Sequence, residues 1–181
     1  MIHLSSSHTW SKDLEYSTEI ERLKKLLLEE SRIHQKAYYA IFLTQLSQSM
    51  RLSEAVDAML KWAKDPKDVD RVQVRTRKRK SVYWRDVFIP KTILDNSSMI
   101  KRGLNEMEYS DKLVNTIGHY VRRHLYNSHA LRHAAITHQG EMNIPAQVIA
   151  KGTGHVRAEQ VSTYTQRTAI VKVLRDMANG A

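Results

Sequence analysis

The chain has 181 residues and a formal net charge of +10, with 29 Lys and Arg against 19 Asp and Glu. This length is enough for one domain with its own core, and the basic charge predicts an acidic partner, with nucleic acid the first candidate and a merely basic soluble protein the alternative. No cysteine is present, which excludes disulfides and thiolate metal sites, and no apolar run approaches the ~20 residues of a membrane-spanning helix.

The N-terminal third predicts a loose arm followed by helices. Residues 1–16 form the arm, and a first helix is expected from Thr18, where Glu21 follows three residues later as in a capping box. A second helix is expected over about 33–47, and a third from near Ser53. Arg51 lies at the break before the third helix. Taken alone, it is most simply an exposed arginine.

The middle of the chain predicts a β-hairpin with a basic tip. Val72 and Val74 alternate with polar residues, and a second extended run covers 82–89 before Pro90. The basic run between them, Arg77-Lys78-Arg79-Lys80, fits a solvated turn or a phosphate contact, and Arg75 in the first strand is a further candidate for binding DNA.

Two helical stretches follow the hairpin. Residues 91–108 predict helix with a loop around 96–98, and Ser110 is expected to cap the next helix. Arg122 and Arg123 lie at the end of that helix. Their positive charges interact favourably with the negative end of the helix dipole, and they are equally suited to binding phosphates.

The C-terminal third carries the residues best suited to chemistry. Ser128 is expected to cap a helix that ends near Gly140, and His129 and Arg132, three residues apart, share one face of it. A short helix over 145–150 precedes a turn at Gly152 and Gly154 that presents His155. Two further helices are predicted over 157–164, ending at Tyr164, and over 168–178.

No metal site is expected. The sequence lacks the clustered Asp and Glu of a two-metal nuclease. His129 and His133 have the spacing of a zinc-protease helix, but no Glu follows His129, so that motif is incomplete. His133 and His138 are therefore interpreted as core or surface histidines.

In their order along the chain, these motifs resemble the catalytic domain of the tyrosine recombinases, the phage-integrase family. The resemblance rests on Arg51-Leu52-Ser53-Glu54, His129-x-x-Arg132, Gly154-His155 and Tyr164, and it covers roughly residues 18–166. It implies a mainly α fold with a small antiparallel β-hairpin or sheet. It also implies a metal-independent, cofactor-free enzyme that breaks and rejoins DNA strands through a 3′-phosphotyrosine intermediate.

The resemblance assigns a role to each motif residue. Arg51 and Arg132 would bind the non-bridging phosphate oxygens, for which planar, permanently charged guanidiniums are suited. His155 would donate a further hydrogen bond. His129 would orient or deprotonate Tyr164, the nucleophile, whose ordinary pKa near 10 makes it unreactive unaided.

Two further residues complete the implied machinery. A general-acid lysine on the hairpin would protonate the leaving 5′-oxygen, with Lys78 the first choice and Lys80 the second, and Glu54 would hold the guanidinium of Arg51. Two positions depart from the family pattern: Ser49 stands where a glycine is frequent, and Thr153 stands where an apolar residue is common.

At the level of the whole molecule, residues 17–181 are expected to be the catalytic domain, without the N-terminal DNA-clamping domain common in the family. The partners implied are double-stranded DNA and copies of the chain itself, as a tetramer assembled through the helix over 168–178, with no membrane and a cytoplasmic location. Three alternatives stay open: a type IB topoisomerase-like enzyme, a non-catalytic DNA-binding module and a metal-dependent nuclease.

Overall fold

The computed structural model of the chain describes residues 14–67, 69–76, 83–124, 127–155, 158–159, 161–162 and 177. Within these ranges the elements are α1 Tyr16–Glu29, α2 Ile33–Ser47, α3 Leu52–Lys64, β1 Arg71–Arg75, β2 Trp84–Phe88, α4 Lys91–Leu94, α5 Ser97–Asn105, α6 Asp111–His124, α7 Ser128–Glu141 and α8 Ala146–Thr153. The prediction of a mainly helical fold with a small antiparallel sheet is confirmed.

Helix α2 is the centre of the core. Its residues are apolar on nearly all sides, as expected of a helix that is surrounded by others, and its fully buried side chains include Ile41, Phe42 and Leu46. Helices α1, α3, α5 and α7 all pack against it. The predicted span of this helix, 33–47, is confirmed.

The predicted hairpin is also confirmed. Strands β1 and β2 pair antiparallel with Val72 opposite Val87 and Val74 opposite Arg85. Val74 and Val87 are fully buried, whereas Trp84 and Phe88 on the other face are about half exposed, at 53% and 54%. The sheet therefore covers the core on one side, in the period-two pattern of a half-buried strand pair.

A small second core lies at the C-terminal side of the described chain. Its buried members are Ile136 from α7, Ile149 and Ala150 from α8, and Val161. Through this cluster, α8 and Val161 pack against α7. No helix among the described residues is long and apolar enough to cross a membrane.

Several predicted helix ends were wrong. Helix α1 begins at Tyr16, and the Thr18 hydroxyl donates to the Glu15 carboxylate instead of forming a capping box with Glu21. Helix α7 is capped by Asn127, whose Oδ1 accepts from the main-chain N–H of His129 at 3.0 Å.

Three more boundaries differ from the prediction. Gly140 does not end α7, which continues to Glu141. Helix α8 runs to Thr153 and includes Gly152, so only Gly154 belongs to the turn before His155. Helix α5 begins at Ser97, inside the predicted loop.

Candidate functional site

Arg51 is held at the start of α3 by a buried carboxylate. It is the N-cap residue of the helix, and its main-chain N–H donates to Oε2 of Glu54 at 3.2 Å. Its guanidinium Nη1 donates to Oε1 of the same side chain at 2.8 Å. Glu54 is 0% exposed, so Arg51 is oriented by a charge-assisted bond that water does not reach on the carboxylate side.

Arg132 reaches the same carboxylate from α7. Its side chain is 2% exposed, and its Nη1 lies 4.0 Å from Oε2 of Glu54. Its Nη2 donates to the main-chain carbonyl of Thr153 at 2.7 Å. The two arginines, which are far apart in sequence, are thus brought together at the two oxygens of Glu54.

The turn after α8 places His155 against Arg132. Both ring nitrogens of His155 are within 3.5 Å of Arg132 Nη2, at 3.5 Å for Nδ1 and 3.4 Å for Nε2. Gly154, with φ of 72°, makes this turn in the left-handed region that favours glycine. A Cβ atom added there would lie only 4.0 Å from Arg51 Nη1, so the Gly154-His155 turn adjoins both guanidiniums.

Thr153 connects this turn to the imidazole. Its side chain is buried, its hydroxyl donates to the carbonyl of Ile149 at 2.6 Å, and the same Oγ1 lies 2.6 Å from Nδ1 of His155. A threonine hydroxyl carries one proton. Because that proton goes to Ile149, we infer that His155 is the donor in the second contact, with its proton on Nδ1.

The surroundings of His155 keep it neutral at pH 7. Burial, followed by the positive charges of Arg132 and Arg51, lowers its pKa from 6.5 to about 4. A neutral imidazole protonated on Nδ1 has a lone pair on Nε2. A bound anion would offset the two guanidiniums and raise the pKa of His155.

Two of the three histidines of α7, His129 and His133, lie against each other. The rings of His129 and His133 are nearly perpendicular, with centroids 4.7 Å apart. Burial, followed by the charges of His129 and Arg132, lowers the pKa of His133 to about 4. His129 is exposed and lines a cleft together with Arg51.

A cleft of ≈ 350 Å³ opens beside Arg51 and His129. Helix α6 forms its far wall, and Arg122 lines it, whereas neighbouring Arg123 does not. Both of these arginines are exposed, as is Arg75 at the end of β1. Five of the predicted site residues lie outside the described part of the chain: Arg77, Lys78, Arg79, Lys80 and Tyr164.

Sequence reasoning missed two residues beside this site. Thr153 was noted only as a departure from the family pattern. Arg85 on β2 is half-buried, its Nη2 donates to the carbonyl of Gln48 at 2.7 Å, and burial lowers its pKa while Glu54 partly offsets that effect. Its alternation with buried Val87 was the signal that placed it on the inner face of the sheet.

The described residues contain no group of three or more His, Asp or Glu side chains that could hold a metal ion. The cationic groups at this site are the guanidiniums of Arg51 and Arg132, and the imidazole of His155 lies against the second of them. Glu54 is the carboxylate that brings the two arginines together, and the cleft side of the site is basic.

Among known proteins, no protein-family model matches the sequence. The uncharacterized protein MJ0770 of Methanocaldococcus jannaschii is 31% identical over 202 residues, which cover 96% of this chain and 91% of that protein. Protein ORF241 of Acidianus two-tailed virus, whose name marks it as a candidate integrase, is 26% identical over 179 residues, covering 94% of this chain and 70% of that protein.

Two solved structures of the XerH site-specific recombinase share the fold. The post-cleavage complex with a palindromic difH substrate has a TM-score of 0.61 and 16% identity, covering 98% of this chain and 56% of that chain. The pre-cleavage complex has a TM-score of 0.55 and 17% identity, covering 85% and 50%. The chain thus spans about half the length of XerH.

The similarity to XerH agrees with the mainly helical fold that the sequence resemblance implied. The chain has the fold of a tyrosine recombinase catalytic domain, and it belongs to the same protein family as MJ0770 of Methanocaldococcus jannaschii.

Proposed function

We propose that this protein is a DNA strand transferase of the recombinase or integrase type, which cleaves and rejoins DNA through a 3′-phosphotyrosine intermediate. The observation that carries the proposal is the convergence of Arg51 and Arg132 on Glu54, with His155 against Arg132. Three cationic or hydrogen-bonding groups at one place form a site for a single phosphodiester.

The guanidiniums supply the electrostatic part of the chemistry. A guanidinium has five N–H donors in a rigid fork, and the described side-chain bond of Arg51 to Glu54 uses one of them. Further donors can bind the non-bridging oxygens, where negative charge develops during attack on phosphorus. Removing one such preorganised donor typically costs on the order of 10²–10³ in rate.

The nucleophile and general acid are proposed from the sequence motifs. The Tyr164 oxygen attacks phosphorus as its proton passes to His129, a phosphorus–oxygen bond forms, and the bond to the 5′-oxygen breaks. Lys78, or Lys80 in its place, protonates the departing 5′-oxygen. The phosphotyrosine keeps the ester bond, so a 5′-hydroxyl can reverse the reaction without ATP or a metal ion.

The comparisons support this function and its partners. XerH is named as a site-specific recombinase bound to its difH substrate, and ORF241 carries the name of an integrase. We take duplex DNA as the substrate, residues 17–181 as the catalytic domain, and residues 168–178, for which the sequence predicts a helix, as the contact between copies in a tetramer. The proposed further phosphate contacts are Arg75, Arg77, Arg79, Lys80, Arg122 and Arg123.

The proposal is tested by trapping the covalent intermediate in EDTA. The substrate is a pool of duplexes of random sequence, each nicked in one strand, because cleavage close to a nick releases a short fragment and prevents rejoining. The wild-type chain should form a protein–DNA complex that survives detergent. Tyr164→Phe should form none, whereas Tyr16→Phe, the same change in α1, should retain it.

Other outcomes would contradict the proposal. Equal trapping by Tyr164→Phe would reject Tyr164 as the nucleophile, and cleavage that is lost in EDTA would indicate a metal-dependent nuclease. Plasmid relaxation without any recombinant product, once the captured sequence is supplied in pairs, would indicate a topoisomerase. Binding without any covalent product would indicate a non-catalytic module.

A further inference from the structure

One face of α6 is turned toward the site described above. Asn115, Gly118, His119 and Arg122 recur at helical spacing and together line the cleft of ≈ 350 Å³. Gly118 leaves space between α6 and Leu52, because a Cβ added at this position would lie 3.5 Å from Leu52 Cδ2, at van der Waals distance. The wall therefore presents an amide, an imidazole and a guanidinium across a narrow gap.

The opposite wall is built from the start of α3 and the start of α7. Arg51 and Ser53 line it on one side, and Ser128 and His129 on the other. Arg51 and His129 also belong to the proposed reaction site, so the cleft is continuous with that site. A ligand bound to Arg51 can extend along the cleft as far as Arg122.

The floor of the cleft is also polar. Gln45 is 1% exposed, and its Nε2 donates to the carbonyl of Ser128 at 2.9 Å. Its Oε1 has no hydrogen-bond partner among the described residues. A buried polar atom of this kind favours a polar ligand over an apolar one, because burying it against apolar surface costs free energy.

The geometry points to a second phosphate-binding site in this cleft, in which Arg122, His119 and Asn115 bind the DNA phosphate next to the one that is cleaved. This inference rests on the proposed function for the position of the phosphate along the strand. No acidic side chain lines the cleft within the described residues. The sugar–phosphate backbone of DNA carries negative charges at short, regular intervals, and a continuous basic cleft can bind more than one of them.

Binding the neighbouring phosphate would fix the register of the strand. Phosphate contacts position a nucleic acid without reading its bases. With Arg51 on the reacting phosphate and Arg122 on its neighbour, the strand cannot slide by one nucleotide without losing a contact. The cleft would thus orient the reacting phosphate for attack from one direction. Holding the reacting groups in such a fixed geometry lowers the activation barrier.

The test measures the salt dependence of duplex binding by fluorescence anisotropy, using the full chain in a Tyr164→Phe background to prevent covalent capture. Arg122→Ala is compared with Lys112→Ala. Lys112 is an exposed cation on the same helix, about 15 Å away at 1.5 Å per residue, and it does not line the cleft. Urea unfolding of each variant verifies that the fold is retained.

Arg122→Ala should make the slope of log K against log salt less negative by about 0.9, the contribution of one phosphate contact. Lys112→Ala should leave the slope unchanged. Equal slopes for the two variants would overturn the inference, because Arg122 would then contribute no more to DNA binding than a cation that lies outside the cleft. Asn115→Asp should weaken binding, since it adds a negative charge inside the cleft, and unchanged binding would likewise overturn it.

A second arm locates the phosphate on a nicked duplex identified by covalent trapping. Replacing the phosphate beside the cleaved one by an uncharged methylphosphonate should weaken wild-type binding but cause no further loss in Arg122→Ala. Independent, additive losses would place Arg122 elsewhere. Failure of the proposed function is distinguishable, because it would abolish trapping while leaving the salt slopes as predicted.

Discussion

Arg51 and Glu54 are joined by two hydrogen bonds, one from the main-chain N–H and one from the guanidinium. The first closes the start of α3, and the second orients a side chain of the proposed reaction site. Because Glu54 is also 4.0 Å from Arg132, one carboxylate links the beginning of a helix to both guanidiniums. Folding of α3 and assembly of the anion site are therefore coupled.

Glu54→Gln should lower the free energy of unfolding by about 3 kcal/mol, because removing one partner of a buried ion pair leaves the other charge uncompensated. Glu21→Gln is the matched control, since Glu21 also pairs with a cation three residues away but is 70% exposed; its effect should stay within about 0.5 kcal/mol. Urea unfolding followed by circular dichroism measures both. Equal effects would show that Glu54 contributes no more to stability than an exposed glutamate.

Thr153→Val should release His155 from its Nδ1-protonated tautomer, because valine preserves the shape but removes the hydroxyl that accepts from Nδ1. Covalent trapping should slow by about fivefold, because the protonated imidazole would lose the acceptor for Nδ1 while Nε2 donates to the bound phosphate, and one hydrogen bond contributes about 1 kcal/mol. Thr153→Ser should retain the wild-type behaviour. Nitrogen-15 NMR of the imidazole reports the tautomer directly, and a wild-type spectrum with the proton on Nε2 would refute this assignment.

Replacing two helical glycines by alanine should change the stability of the protein in opposite directions. Gly103→Ala should destabilise the protein by about 1–3 kcal/mol, the usual cost of overpacking, because the new Cβ would lie 2.4 Å from the Ile33 carbonyl oxygen. Gly118→Ala should stabilise it by about 0.5–1 kcal/mol through helix propensity, because only ordinary contact with Leu52 awaits it. Midpoints of urea unfolding measure the difference, and shifts of the same sign would contradict it.

Acid should destabilise the fold through His133 and His155. In the unfolded chain each binds a proton near pH 6.5, whereas in the folded protein each does so only near pH 4. The unfolded state thus holds more protons between these values, so the free energy of unfolding falls as the pH drops from about 6.5 to about 4. His133→Gln should flatten this slope in urea unfolding at a series of pH values; an unchanged slope would exclude His133 as a contributor.

The central helices and strands could be predicted from the sequence, because each of them depends on the pattern of apolar residues within its own segment. The dense apolar run of α2 and the alternation of β1 are examples, and both match the structure. Helix starts were less predictable, because Asn127 caps α7 in place of the adjacent Ser128, and the Thr18 hydroxyl donates to the Glu15 carboxylate. A choice between adjacent polar residues depends on backbone angles that the sequence does not specify.

The site shows a different limit. The spacing of His129 and Arg132 could be interpreted within one helix, but the approach of Arg51 to Arg132 depends on how α3 and α7 pack. Ser49 is a further case: it adopts a positive φ of 52°, and its hydroxyl accepts from Gln139 Nε2 at 2.9 Å. That long-range partner accounts for a serine at a position where the family frequently has glycine.

The most direct test of the proposed function is the identity of the residue joined to DNA. After reaction with the nicked duplex pool in EDTA, nuclease digestion leaves a nucleotide on the attacking side chain, and tandem mass spectrometry of the proteolysed chain locates it. We predict a nucleotide joined through its 3′-phosphate to Tyr164, and we expect this adduct to be lost when Arg51 or Arg132 is replaced by alanine. An adduct on any other residue, or one that persists without both arginines, would contradict it.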